Sequence, residues 1–481
     1  MDKQTKYKAT IGLEIHAELK TQTKMFCSCK NDPDEEKPNS NICSVCTAQP
    51  GTLPVLNKQA IEHVLKVGLA CGSEIADFTE WDRKNYFYPD IPKGYQISQY
   101  KYPLVLGGSI KGVELTRIHL EEDTGSSTHD AGDFSLVNFN RAGVPLMELV
   151  TEPVIHSGKE AADFARELQL ILQYLKVGDA NMEKGEMRVE ANISVSDTDK
   201  LGTKVEIKNL NSFRTVERAV AYEIERQIDA LEKGEKIVQE TRGWDEAKQK
   251  TYSQRIKEDS QDYRYFPDPD LPKMMISEVF DLDKIKCELP ELPWQRREKY
   301  SNVFGIKEQD AEFFINNIDY GVFFENVISD FSGNHEKSDD LVASKDLIRL
   351  ASNYITSDLV GFISKDSTLK FPLPEKFAKI IIMVSEGKLS SRTAKDLIER
   401  LLKEDIDPEE IANKEGLIQK NDEGAIKEIA NKLISENPKV VADYKAGKEM
   451  ALMFFVGQIM KVTKGSSNPQ VIKKVLVDLL S

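Results

Sequence analysis

Ala9-Thr10-Ile11-Gly12-Leu13-Glu14-Ile15-His16-Ala17-Glu18-Leu19 alternates apolar and non-apolar positions along its whole length. A period of two is that of a β-strand with one face buried, so Ile11, Leu13, Ile15 and Ala17 are predicted on the core side. Glu14, His16 and Glu18 then share the opposite face. Two readings of that face stay open: the solvated outside of an antiparallel sheet, or one wall of a site.

The pattern recurs downstream. Val189, Ala191, Ile193 and Val195 are predicted to face the core while Arg188, Glu190, Asn192 and Ser194 face away, and Lys204 to Lys208 sets Glu206 between two lysines. If these faces adjoin, several carboxylates and an imidazole meet. Crowded carboxylates repel one another unless a cation or proton compensates, and oxygen ligands with one His suit a hard divalent ion such as Mg²⁺. Neighbouring Arg and Lys are then placed for phosphates. A further strand, Val113 to Leu120, runs into Glu121-Glu122-Asp123-Thr124-Gly125. Strict alternation puts His119 and Glu121 on the polar face, and Glu122 only if the strand ends or bulges there.

Phe134 to Asn140 is another strand candidate, and Lys58 to Cys71, Lys159 to Leu175 and Ser212 to Lys233 carry apolar residues at helical spacing. After Pro290 and Pro293 strand patterns give way to helical periodicity, with Ser390-Ser391 a predicted N-cap for Thr393 to Lys403. A Lys- and Ala-rich composition begins near Asp407. A chain of 481 residues exceeds what one core accommodates. The expected class is α+β: a sheet-rich domain over 1–294, an all-α domain over 295–405 and a small helical tail over 406–481.

With 40% hydrophobic, 30% charged and 8% aromatic residues, the chain has the composition of an ordered globular protein. Met1 to Lys8 is polar, and the apolar stretch Met450 to Met460 is too short to span a bilayer, so no membrane segment and a cytoplasmic location are expected. The net charge of -15 argues against broad nucleic-acid binding, yet residues 439–481 carry seven lysines against three acids, a net +4. That basic tail, with helices around Met450 to Thr463 and Pro469 to Leu480, suits an RNA backbone; Leu452, Phe454, Phe455 and Ile459 are expected in its packing.

Cys27-Ser28-Cys29 and Cys43-Ser44-Val45-Cys46 present C-x-C, thirteen residues, then C-x-x-C, a four-thiolate set suited to structural Zn²⁺. Cys71 and Cys287 are expected as buried apolar thiols. No P-loop is present: Gly107-Gly108-Ser109-Ile110-Lys111-Gly112-Val113 lacks the Lys and hydroxyl in place. G-x-G-x-x-G and G-x-S-x-G are also missing, so nucleotide chemistry needs an uncommon fold and glutamine hydrolysis needs another chain.

Several segments resemble the GatB family, the B subunits of the glutamyl/aspartyl-tRNA amidotransferases: Ile11 to His16, Asp82-Arg83-Lys84-Asn85-Tyr86-Phe87-Tyr88-Pro89-Asp90, Tyr95 to Gln99, and His119 to Asp123. Glu190 to Ser194, Glu206 to Phe213, Asp262-Tyr263-Arg264-Tyr265-Phe266-Pro267, Gly457 to Lys461 and Asn468 to Gln470 continue it. The resemblance implies a cradle-shaped sheet domain, a helical domain and a YqeY-like tail. It implies an ATP- and Mg²⁺-dependent ligase that phosphorylates the side-chain carboxylate of Glu-tRNA(Gln) or Asp-tRNA(Asn) and amidates it with ammonia from glutamine. The implied partners are a glutaminase, the family's A subunit, together with the small C subunit, making a heterotrimer.

Carried onto this sequence, the resemblance implies Glu14, His16, Glu122, Glu190 and Glu206 as metal ligands, choosing Glu122 where parity chooses Glu121. Arg83, Lys84, Arg188, Lys204 and Lys208 become candidates for phosphate or tRNA-end contacts. Tyr86, Tyr88, Tyr95, Gln96, Ser98 and Asn209 become candidates for the ammonia path. Because some family members lack the Cys pairs, zinc is expected to be structural. Two rivals remain: a tRNA-binding scaffold without chemistry, and a zinc hydrolase, which four thiolates disfavour.

Overall fold

In the computed structural model, which describes residues 6–128, 132–256, 262–333, 341–419, 423–445, 447–448, 450–463 and 467–480, the alternating segment is strand β1 (Lys8–Glu18). It lies inside a ten-stranded sheet. The other strands that position the site are β2 (Asp82–Asn85), β3 (Tyr95–Ser98), β4 (Val113–Glu122), β5 (Pro145–Thr151), β6 (Met187–Ser196), β7 (Val205–Leu210), β8 (Glu240–Asp245), β9 (Lys250–Ile256) and β10 (Phe266–Pro267).

The sheet order is β9-β8-β7-β6-β1-β5-β4, followed by Val105–Leu106 and Glu74–Ile75, with Ser109–Ile110 also on β4. Strands β2, β3 and β10 form a separate small sheet. β1 is antiparallel to both neighbours, β6 and β5, and only β7 with β8 runs parallel in the long ladder.

Ile11, Leu13, Ile15 and Ala17 are at most 1% exposed and join Val189, Ala191 and Ile193 in one large core. Helices α1 (Lys58–Ala70), α2 (Gly158–Tyr174) and α3 (Phe213–Glu232) cover that face with Val64, Phe164, Leu168, Ile171, Val216 and Val220. Each starts on a side chain that accepts backbone N–H groups, Asn57, Ser157 and Ser212 respectively, as helix N-caps require. With one face sealed by helices, the polar side chains are left on the other.

Three expected elements shift. β4 runs on through Glu122, the strand expected over Phe134 to Asn140 is only Leu136–Asn138, and the one expected at Lys204 to Lys208 is β7, offset to Val205–Leu210. β7 moves because Val205, Ile207 and Leu210 are the residues its neighbours bury. Cys71 is buried, but Cys287 is exposed: it ends the short helix Leu282–Cys287, which buries only Ile285.

The chain divides into two compact units, Met1–Pro293 and Trp294–Ser481. Among the described residues no strand follows Met275. The second unit packs Tyr300, Phe314 and Phe324 against one another, and Ser390 caps the helix Ser391–Lys403 by accepting from Thr393 N at 3.2 Å. Towards its end Leu452, Phe455 and Ile459 join Ile426, Ile472 and Leu476 in a core of their own, whereas Phe454 is 40% exposed. No described helix is long and apolar enough to cross a membrane.

Gly158 marks how tightly α2 meets α3, since a Cβ there would lie 2.3 Å from the backbone oxygen of Glu217. Neither backbone yields easily, so Gly158→Ala is expected to destabilise the first unit by about 1–3 kcal/mol. Urea denaturation followed by tryptophan fluorescence reads this directly; an unchanged midpoint would refute the packing.

Candidate active site

Side chains directly opposite one another in an antiparallel pair project from the same face. His16 lies opposite Arg188 on β6 and Glu148 on β5, and Glu148 lies opposite His119 on β4. Arg188, His16, Glu148 and His119 therefore form one row across the polar face. Glu14 lies opposite Glu190 in the next row, and Glu206 of β7 faces Asn192 beyond it.

Glu14, Glu190 and Glu206 offer oxygens within 4.8 Å of one another; the ligand atoms of Glu14, His16 and Glu148, and of His119, Glu121 and Glu148, lie equally close. The imidazole Nε2 of His16 stands 3.5 Å from Glu148, 3.6 Å from Glu121 and 4.0 Å from Glu14. His119 Nε2 is 3.4 Å from Glu148. The Lys208 ammonium donates to Glu190 at 2.7 Å and lies 3.5 Å from Glu206, which also accepts from Thr241 at 2.8 Å.

Burial works against the imidazolium of His16, but its hydrogen bond to Glu148 and the charges of Glu148, Glu121 and Glu14 prevail and raise it to about 9. Burial alone would raise Glu148; the charge of and hydrogen bond from His119, with His16 alongside, hold it well below the usual carboxylate range. Glu14 is raised by burial and by Glu148 and Glu190, against the pull of His16 and Lys208. At the end of β1, burial and Asp123 push Glu18 up to about 8.

Of the expected metal ligands, the structure brings Glu14 together with Glu190 and Glu206, sets His16 beside Glu14 in an adjoining group, and leaves Glu122 out of both. Glu122 pairs with Lys93 and accepts from Ile97 N at 2.9 Å, while Gln96 donates to its backbone oxygen. The neighbour that reaches His16 is Glu121, because β4 remains regular through both residues and parity holds. Glu121 Oε2 and Asn192 Oδ1 are buried on this face without a hydrogen-bond partner. Hard oxygens in that state fit a divalent cation, and the clustered carboxylates of Glu14, Glu190 and Glu206 could hold one.

The basic candidates divide. Lys84 lies 5.3 Å from the Tyr263 ring, in the field of Glu121 and Glu148, and Lys208 sits between carboxylates. Arg188 is spent on Asp123 at 3.1 Å, Arg83 on Asp268 at 2.8 Å and Asp270 at 3.1 Å, and Lys204 is exposed just before β7. Of the path candidates, Tyr86 donates to Gln96 at 2.9 Å, Ser98 is buried, Tyr95 is half-buried, and Tyr88 and Asn209 are exposed.

Sequence reading missed Glu148. The available signal was a lone acid inside the otherwise apolar run Val144 to Val150, a placement that burial tolerates only with partners.

Cys27, Cys29, Cys43 and Cys46 bring their sulfurs within 4.8 Å of one another, with Cys29 to Cys46 at 4.0 Å and Cys43 to Cys46 at 3.8 Å. Tetrahedral zinc with Zn–S of about 2.3 Å separates its sulfurs by about 3.8 Å, so the set fits a structural metal. The knuckle forms one wall of a cavity of ≈ 230 Å³ whose other lining includes Phe26, Lys93, Tyr95, Glu122 and Asp270.

Residues 9–280 match the family described as the GatB/GatE catalytic domain, and residues 339–480 match the GatB domain. The chain belongs to the GatB family. Among its relatives, the B subunit of the aspartyl/glutamyl-tRNA(Asn/Gln) amidotransferase of Thermotoga maritima is 43% identical over 493 residues, 99% of each chain. Those of Thermoanaerobacter pseudethanolicus and Persephonella marina, of the same name, are each 42% identical, covering 99% and 98% of this chain and 100% and 99% of their own. In this GatB chain the polar face lies wholly within the part matched to the catalytic domain.

Two outcomes are expected at these clusters. The purified protein should carry zinc, and Cys43→Ser combined with Cys46→Ser should lower zinc content by elemental analysis at least about tenfold and lower the melting temperature. Unchanged zinc would move the site elsewhere. Separately, His16 is raised to about 9, so near neutral pH a cation taking its nitrogen must displace a proton. Mn²⁺ affinity by calorimetry should therefore strengthen as pH rises from about 6.5 towards 9, with proton release that His16→Gln reduces. Affinity flat with pH would exclude His16 as a ligand.

Proposed function

We propose that this chain is the B subunit of a glutamyl/aspartyl-tRNA amidotransferase and that the polar face of its sheet carries the chemistry. The observation that carries the reading is the gathering of ionisable groups around Glu14 on one face of a GatB-family chain, Glu190 and Glu206 from two further strands on one side and His16 with Glu148 on the other. The substrate is Glu-tRNA(Gln) or Asp-tRNA(Asn), the location is the cytoplasm, and the partners are the glutaminase A subunit with the small C subunit. Residues 1–294 form the catalytic cradle, 295–405 a helical domain, and 406–481 a tail for the tRNA body.

A carboxylate is a poor acyl electrophile. Transfer of the ATP γ-phosphoryl group to its oxygen releases ADP and leaves an acyl phosphate; ammonia then attacks the acyl carbon and phosphate departs. Mg²⁺ at Glu14, Glu190 and Glu206 would neutralise phosphate charge and align the reacting oxygens.

The chain's own residues hold the geometry. Glu148 orients His16, and Lys208 keeps Glu190 and Glu206 from repelling each other apart. Lys84 brings a cation into the field of Glu121 and Glu148 on the same face, where phosphates need one. Glu122 in this reading belongs with Lys93 and Gln96 on the approach of ammonia, which needs polar walls closed to bulk water.

A scaffold that only holds tRNA is the second reading. The two separate when ADP release is measured for the complex of this chain with its A and C partners, given Glu-tRNA, ATP and Mg²⁺. His16→Ala is expected to slow release roughly 10²-fold with tRNA binding retained, by analogy with loss of one preorganised electrostatic contact. An unchanged rate would leave the chain as a tRNA holder.

A further inference from the structure

Outside the acidic face, the segments around β2, β3 and β10 display an aromatic wall that the chemistry above does not use. The rings of Tyr100 and Tyr265 stack at 4.2 Å and 9°, and Tyr265 meets Tyr263 edge-on at 5.9 Å. Tyr100 is 60% exposed, so the outer face of this stack is open to solvent. At the inner end the Lys84 ammonium lies 5.3 Å from the Tyr263 ring and within the field of Glu121 and Glu148. The wall thus begins at the reacting face and leads away from it.

Its supports are rigid. The buried carboxylate of Asp82 accepts from the backbone N–H groups of Tyr100 and Lys101 at 2.9 and 3.1 Å. Asn85 donates through its backbone to Tyr263 O at 2.9 Å and through its side chain to Arg264 O at 2.8 Å. Arg264 adopts φ 46°, a left-handed turn between the two tyrosines, and its guanidinium is exposed, as is Lys101.

The solvated ring of Tyr100, the half-buried ring of Tyr265 behind it and the exposed cations beside them, in a chain of net charge -15, are not accounted for by core packing. They match what a single-stranded nucleic acid offers: neutral π faces for the rings and phosphates for the cations. A duplex hides its base faces, so the ligand is an unpaired end.

We propose that Tyr100, Tyr265 and Arg264, with Lys101, form a stacking platform for the unpaired 3′-terminal nucleotides of the RNA substrate, delivering the esterified amino acid past Lys84 to the acidic face. This rests on the tRNA-dependent reading above.

The test compares binding, by fluorescence anisotropy, of tRNA with an intact 3′ end and the same tRNA lacking its terminal nucleotide, using the full chain in complex with its A and C partners. The native complex should prefer the intact end. Tyr100→Ala and Tyr265→Ala should each weaken its binding about five- to hundredfold and erase the preference, the range expected for loss of one base stack, while Tyr100→Phe retains both. ATP affinity should not change; a loss of ATP affinity with tRNA binding intact would mean the wall holds a free nucleotide and overturns the proposal. So would a preference that survives both alanine variants. A native complex that binds neither tRNA would overturn the amidotransferase reading and the platform with it.

Discussion

The pairing of β1 with one antiparallel strand on each side is the constraint on which the rest of the site depends. It sets His16 between Arg188 and Glu148 and Glu14 beside Glu190, so one strand supplies side chains to two adjoining groups of ligands. A slip of one residue on either side would exchange this face for the core face, since side chains alternate with period two. The register is held by the apolar half of the same strand. Ile11, Leu13, Ile15 and Ala17 are committed to the core under the three helices, so burial of the apolar face and alignment of the ionisable face are one event.

That arrangement gathers charge that a folded chain must compensate. Carboxylates this close, partly removed from water, cost several kcal/mol each unless partners or protons answer them. Here His16 and His119 flank Glu148, Lys208 bridges Glu190 and Glu206, and Arg188 with Arg141 serves Asp123. The raised values of His16 and Glu18 show the compensation working partly through retained protons. Glu121 Oε2 is still left unpartnered among these compensated charges. The cysteine knuckle stands apart from it, in an irregular loop that makes one wall of the neighbouring cavity.

Much of this was legible beforehand. Alternation put Glu14 and His16 on one face of β1 and Glu190 on the polar face of β6, without saying that the two strands adjoin. Parity in β4 pointed to Glu121, but the resemblance chose Glu122 over it; the structure sets Glu121 beside His16 and turns Glu122 to Lys93. Cysteine spacing found the four sulfurs. Phe454 and Cys287 were misread because a helix position or a lone thiol does not say how much surface its neighbours cover. Glu148 went unnoticed because an apolar run conceals a carboxylate whose partners come from other strands. Tyr100 and Tyr265 lie far apart in the chain, and nothing local announces that their rings stack.

By itself the sequence determined periodicities, and with them which residues can share a face of one strand, which stretches are helices, and which cysteines sit in close local pairs. These are short-range properties, set by the geometry of a strand or a turn over a few residues. Tertiary structure alone decided which strands are neighbours and in what register. Those choices depend on how helices from distant segments seal the core face, and they set every distance between ionisable groups. Electrostatic interaction depends steeply on separation and burial, so the chemistry of the acidic face came into being only when β4, β5, β6 and β7 closed around β1.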